Sequence, residues 1–262
     1  MPLALALLTL TAGADPSVEI IAHRGASHDA PENTVAAFTV AWEQRADASE
    51  LDVYLTKDGK LAVIHDKDTR RTAGGTSLLV AESTFADLRA LDVGRWKAER
   101  FKGEKIPSLP EMFATVPDGR SVFVEVKCGP EAVPELIRVL QDSRLKPAQT
   151  PVIAFDSKVV AAVKKARPDV PAYLLVSLPT KKEEVLTAEK VVEKARACQA
   201  DGVDLSAAPA LDAAFVKTIR AAGLKLYVWT VNDVPTAKRL VELKVDGITT
   251  DRPGWLREQL AN

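Results

Sequence analysis

Thiols and imidazoles are scarce: two cysteines, Cys128 and Cys198, and three histidines serve 262 residues. A chain this long can bury a core that needs no disulfide. Cys128 follows a predicted strand and Cys198 lies in a predicted helix, so both are expected as free thiols. An excess of either charge is also missing, with 35 Lys and Arg against 36 Asp and Glu. No basic stripe or block of like charge appears, which removes the electrostatic case for a nucleic-acid partner. Any anion must therefore be held by a local site. Beyond residue 14 no apolar run is long enough to span a bilayer. The run before it, Leu3 to Leu10 followed by Thr11-Ala12-Gly13-Ala14, has the apolar core and small-residue ending of a secretory signal peptide, although no Lys or Arg precedes it. Residues 1–14 are expected to direct export to a periplasmic or extracellular location; without that function the protein would be cytoplasmic.

What is present is a single large apolar budget, 47% hydrophobic, arranged as strands alternating with helices. Short β-branched runs at 18–22, 50–53, 121–126, 151–155, 172–176, 202–205, 225–230 and 245–249 read as strands. Helical spacing lies between most of them, at 35–42, 131–141, 158–166, 188–200, 211–222, 235–243 and 253–259. Eight strands in this alternation favour one (β/α)8 barrel domain over residues 15–262, with an open doubly wound sheet as the alternative. The segment from about 66 to 112 is too long for a plain connection and is expected to be a small insertion over the barrel mouth.

The second strand region carries the densest chemistry. Glu50 and Asp52 are two apart and share a face. Asp58-Gly59 between two alternating runs predicts a type I′ hairpin, which would set Asp52 opposite His65, roughly 4.5–5.5 Å apart at Cβ. Barrel chemistry sits at the C-terminal ends of the strands. There the sequence places His23 and Arg24, then Glu50, Asp52 and His65, then Glu125 and Lys127, with Phe155 and Trp229 further round. Three converging carboxylates are costly without a cation, and oxygen ligands suit a hard ion, Mg²⁺ or Ca²⁺. His23 and His65 can supply one base and one acid near neutrality. Arg24 and Lys127 are cations suited to phosphate oxygens. Together these groups describe phosphoryl transfer from a diester.

These residues also carry a resemblance. His23-Arg24-Gly25, Ala30-Pro31-Glu32-Asn33-Thr34, Glu50-Leu51-Asp52, His65-Asp66, Arg71-Thr72, Glu125-Val126-Lys127, Trp229-Thr230-Val231-Asn232 and Gly247-Ile248-Thr249-Thr250-Asp251 follow in order. The chain so read resembles the glycerophosphodiester phosphodiesterase family over about residues 20–252. The resemblance implies a TIM barrel that hydrolyses a small-molecule glycerophosphodiester to glycerol 3-phosphate and an alcohol. It implies His23 and His65 as acid–base pair, Glu50, Asp52 and Glu125 as ligands of one divalent metal ion, and Arg24 and Lys127 as phosphate contacts. Trp229 matches an aromatic beside the glycerol. Lysophospholipase D or sphingomyelinase D-like action on lipid head groups and a non-catalytic binder on the same barrel are the alternatives. The head group, the choice between the two ions and the oligomeric state are left open. If the leader is cleaved, mass spectrometry of protein from a secretion-competent host will show an N-terminus near Asp15; an intact Met1 would contradict export.

Overall fold

The computed structural model describes residues 18–179 and 186–261, so the expected leader at 1–14 lies outside the described residues. The strands are β1 (Glu19–Ala22), β2 (Ala48–Leu55), β3 (Leu61–Val63), β4 (Ser121–Val126), β5 (Val152–Ala154), β6 (Ala172–Val176), β7 (Gly202–Ser206), β8 (Lys225–Trp229) and β9 (Gly247–Thr250). All but β3 are parallel, and β1 pairs with both β9 and β2, which closes an eight-stranded ring. The open sheet is thereby ruled out. The helices are α1 (Val35–Glu43), α2 (Phe85–Arg89), α3 (Leu109–Ala114), α4 (Val133–Asp142), α5 (Ser157–Ala166), α6 (Ala188–Ala197), α7 (Ala213–Ala221), α8 (Val234–Glu242) and α9 (Pro253–Ala261).

Alternation along the strands sorts side chains into two cores. Leu51, Val53, Val122, Val124, Val203, Leu205, Leu226 and Val228 face outward into the main core beneath the helices. Ile21, Ala48, Phe123, Ile153, Tyr173, Leu175 and Tyr227 fill the barrel itself. Phe123, Tyr173 and Tyr227 form its aromatic middle, with centroids 4.9–6.1 Å apart. The bulk of Tyr227 is admitted by Gly247, where a Cβ would lie 2.7 Å from the Tyr227 ring. Because the middle is packed shut, any cavity must lie above or below it.

Two sequence expectations are corrected here. The hairpin is not type I′: Gly59 has φ +72° but Asp58 does not enter the left-handed region, and Thr56 N–H bonds Lys60 O across a three-residue loop. The register is therefore Val53 with Val63, and Asp52 is opposed by Ile64 rather than His65. His65 arrives at the mouth because β3 ends at Val63 and the chain bends at 65–67. The second correction is α3, the helix that completes the second barrel unit, which sequence periodicity did not reveal. Six residues are too short to show a period, but Ser108 N–H and Oγ–H both donate to Glu111, a capping-box signature.

Between β3 and α3 the chain builds a small core of its own, including Ala62, Ile64, Val80, Leu88, Val93 and Ile106. This segment grips the loop after β1, with Lys97 Nζ donating to Ser27 O at 2.7 Å and Arg71 pairing with Glu32. Cys128 and Cys198 are both free, as expected.

At the opposite end of the barrel Glu19 is pushed up to about 7, first by burial and then by Asp47 and Asp246, with Lys225 pulling the other way. A folded-state value above the unfolded one means that the native state holds the proton between the two. Glu19 should therefore cost stability progressively as pH rises from about 4.5 to about 7. Glu19→Gln is expected to stabilise the protein at pH 8, on the order of 2 kcal/mol, and to change little at pH 4. Denaturant melts at the two pH values will check this, and an equal effect at both would contradict it.

Candidate active site

The inward positions just above the aromatic layer are His23, Glu50, Asp52, Glu125, Lys127, Phe155, Asp204, Trp229 and Thr249, and all but Asp52 line one cavity of about 220 Å³. Arg24 and His65 join them from the loops. Every site residue expected from the sequence is thus gathered at the C-terminal mouth.

The loop after β1 is shaped to serve Glu50 and Asp52. Arg24 and Asn33 both take left-handed φ, 55° and 58°, which is costly for arginine and tolerated by asparagine. The turn aims Arg24 N–H at Glu50 Oε2, 2.9 Å away. Asn33 clamps Asp52 twice, donating from Nδ2 to Oδ2 at 2.8 Å and accepting Asp52 N–H at 3.1 Å. Arg24 Nε lies 3.3 Å from Asp52 Oδ2 without hydrogen-bond alignment, while its Nη1 donates to Glu32. Lys127 Nζ sits 2.8 Å from Glu125 Oε1 and 3.5 Å from Asp52 Oδ1.

Oxygens of Glu50, Asp52 and Glu125 all lie within 4.8 Å of one another, and the three residues are 1–9% exposed. Burial, then Asp52 and Glu125, push Glu50 well up; burial, then Asp52, push Glu125 up to about 7. Burial opposes ionisation of Asp52 as well, but Arg24 and Lys127 outweigh it and hold Asp52 down. Glu50 Oε1 and Asp52 Oδ1 are buried with no hydrogen-bond partner. Orphaned carboxylate oxygens converging in a dry pocket are what a hard divalent cation satisfies, so the residues fit one.

Each histidine is anchored through Nδ1 by a carboxylate. His23 meets Asp251 at 2.6 Å and His65 meets Asp66 at 2.7 Å. With Nδ1 donating, Nε2 is left free for proton transfer. Burial would raise Asp251, but hydrogen bonds from His23, Asn232 and Ser27 hold it at about 2. Asp66 is in turn held by Arg71 at 2.7 Å, and Arg71 forks onto Glu32, which also takes Arg24. His65 itself is pushed down, chiefly by burial.

Four roles were not legible in advance. Asp251, Asp66 and Arg71 belong to recognisable motifs, but nothing local says that they hold histidines. Asp204 lies in no motif; its inward parity on a strand with outward Val203 and Leu205 was the available signal. It is 2% exposed, its Oδ1 has no partner, and burial followed by Glu125 pushes it well up. Phe155 and Trp229 stand edge to face, 5.7 Å apart, and make the cavity's aromatic wall.

Buried carboxylates that fit a cation, two anchored imidazoles and two basic side chains suit the hydrolysis of a phosphoric diester. The chain belongs to the glycerophosphoryl diester phosphodiesterase family, which it matches over residues 23–255. A glycerophosphodiester phosphodiesterase of Caldanaerobacter subterraneus is 34% identical over 242 residues, covering 90% of this chain and 95% of that protein. One from Bacillus subtilis is 32% identical over 250 residues, covering 89% and 83%. An Oleispira antarctica phosphodiesterase, solved in complex with the product sn-glycerol-3-phosphate, has a TM-score of 0.83 at 26% identity, covering 94% of this chain and 98% of that one.

If Asp251 orients His23, Asp251→Asn should lower kcat by about 10²–10⁴ while the protein remains folded. Steady-state kinetics with circular dichroism on the same sample will check this. Near wild-type turnover would show that the pair is dispensable.

Proposed function

We propose that the protein hydrolyses glycerophosphodiesters to glycerol 3-phosphate and an alcohol, with Mg²⁺ or Ca²⁺ held by Glu50, Asp52 and Glu125. The carrying observation is the buried carboxylate cluster with two unpartnered oxygens, flanked in one cavity by two carboxylate-anchored histidines. The product complex of the Oleispira antarctica relative supports the substrate class. When bound, the cation supplies Lewis-acid stabilisation of negative charge on phosphate oxygens.

The remaining work falls to the chain's own groups. Arg24 and Lys127 line the cavity and can turn from their carboxylate partners towards phosphate oxygens as anionic substrate enters. In-line displacement needs one proton removed from the attacking oxygen and one delivered to the leaving oxygen. His23 and His65, each with Nε2 free, take these two tasks. If the glycerol 2-hydroxyl attacks first, a cyclic phosphate forms and the histidines exchange roles when water opens it. Phe155 and Trp229 offer an apolar face to the glycerol carbons.

Lipid head-group hydrolysis would call for a continuous apolar rim. Of the insertion's aromatics, Phe85 packs on the insertion's core and Phe101 lies under Arg100, while Trp96 is exposed, with its Nε1 donating to Val93 O and Lys97 over its ring. This supports the water-soluble diester as substrate. Export is proposed alongside, on the apolar pattern of residues 1–14.

Release of glycerol 3-phosphate from glycerophosphocholine and glycerophosphoethanolamine, and of choline from lysophosphatidylcholine, will test the reading. Activity on the first two should vanish in excess chelator and return with Mg²⁺ or Ca²⁺; full activity in chelator would overturn the cation's role. In the same assay His23→Ala and His65→Ala should each cost about 10²–10⁴, with the double variant costing far less than the product of the two.

A further inference from the structure

Asp204 is a buried ionisable group that the proposed chemistry does not use. It projects inward from β7 and lines the cavity, is 2% exposed, and leaves Oδ1 buried without a hydrogen-bond partner. Such an atom is costly to bury unless something satisfies it. The cation cluster does not, since Asp204 is not among the carboxylates whose oxygens converge within 4.8 Å. Nor is it structural in the manner of Asp201 or Asp246, whose carboxylates take lysines and backbone N–H groups at the other end of the barrel. The Asp204 backbone carbonyl accepts Trp229 Nε1–H at 3.2 Å, so its position beside the aromatic wall is defined.

The cavity's shape says which part of a substrate reaches it. His65 and Lys127 line both this space and a second, open groove of about 440 Å³ with Tyr54, Lys67, Arg70 and Arg71. The phosphate, which needs His65 and Lys127, lies where the two meet. A variable alcohol suits the open groove, and the constant glycerol suits the smaller cavity walled by Ile153, Leu175, Phe155 and Trp229. Of the two glycerol hydroxyls, the one next to the phosphoester carbon stays near the acidic cluster. The terminal hydroxyl is the group farthest from phosphorus.

We propose that Asp204 is a specificity residue that hydrogen-bonds the terminal hydroxyl of the substrate's glycerol. This rests on the glycerophosphodiester reading and adds to it the residue that recognises glycerol. A buried polar group left unpaired is a strong discriminator against a ligand that lacks the matching hydroxyl.

The test is calorimetric binding of sn-glycerol 3-phosphate and of propane-1,2-diol phosphate, which lacks only the terminal hydroxyl. Wild type should prefer the first by about 10–100-fold. Asp204→Leu should bring the two affinities to within about 3-fold, chiefly by weakening glycerol 3-phosphate. Asp204→Asn, which can still donate and accept, should keep most of the preference. The melting temperature of Asp204→Leu should not fall, because the variant removes a buried carboxyl whose Oδ1 accepts no hydrogen bond. A preference unchanged in Asp204→Leu, or a lowered melting temperature with equal weakening of both ligands, would overturn the assignment. Binding is read without turnover, so failure of the proposed hydrolysis and failure of this recognition are distinguishable.

Discussion

Three carboxylates held within 4.8 Å of one another in a nearly dry mouth are the constraint on which the rest of this structure depends. Desolvation and mutual repulsion both disfavour the ionised forms, and the surrounding chain is arranged to offset them. Arg24 adopts a left-handed backbone to present its N–H to Glu50, Asn33 does likewise to clamp Asp52, and Lys127 bridges Glu125 and Asp52. These compensations are incomplete, because Glu50 Oε1 and Asp52 Oδ1 still accept no hydrogen bond. A site left short of positive charge in this way fits a cation, which would also offset the charge of a phosphate bound beside it.

The parts of this arrangement that follow from period-two alternation were legible in the sequence. Glu50 with Asp52 and Glu125 with Lys127 face inward because their neighbours Leu51 and Val126 belong to the outer core, and the eight barrel strands themselves could be placed as short β-branched runs. Loops obey no such rule. Counting back from Asp58-Gly59 set Asp52 against His65, yet a three-residue loop shifts the pairing by one and puts Ile64 there. His65 still reaches the site, through a bend after β3 rather than through strand pairing. The expected outcome was met by a different route, which shows how weakly a one-residue register argument constrains a side chain beyond a strand's end.

The long-range ion pairs were illegible for another reason. His23 and Asp251 are 228 residues apart, joined only when β1 and β9 pair and close the barrel. Arg71 and Glu32 lie 39 apart and join the insertion to the first loop. Such partnerships are properties of closure, so a sequence can display both members in their motifs without displaying the bond. Asp204 was harder still: a carboxylate between Val203 and Leu205 looks like a tolerated exception until the strand's inward face is known.

The two kinds of support also divide by element. The carboxylates sit on strands, where pairing on both sides fixes position, as in the register that sets Asp52 beside Glu125. The histidines sit just past strand ends, where the backbone alone fixes little, and each is tied by Nδ1 to an anchored carboxylate. For His65 the tie continues through Asp66, Arg71, Glu32 and Arg24 to Asp52 itself. His65 and the carboxylate cluster are therefore not independently placed. One chain of ion pairs thus joins the insertion, which carries Asp66 and Arg71, to the first loop and the barrel mouth.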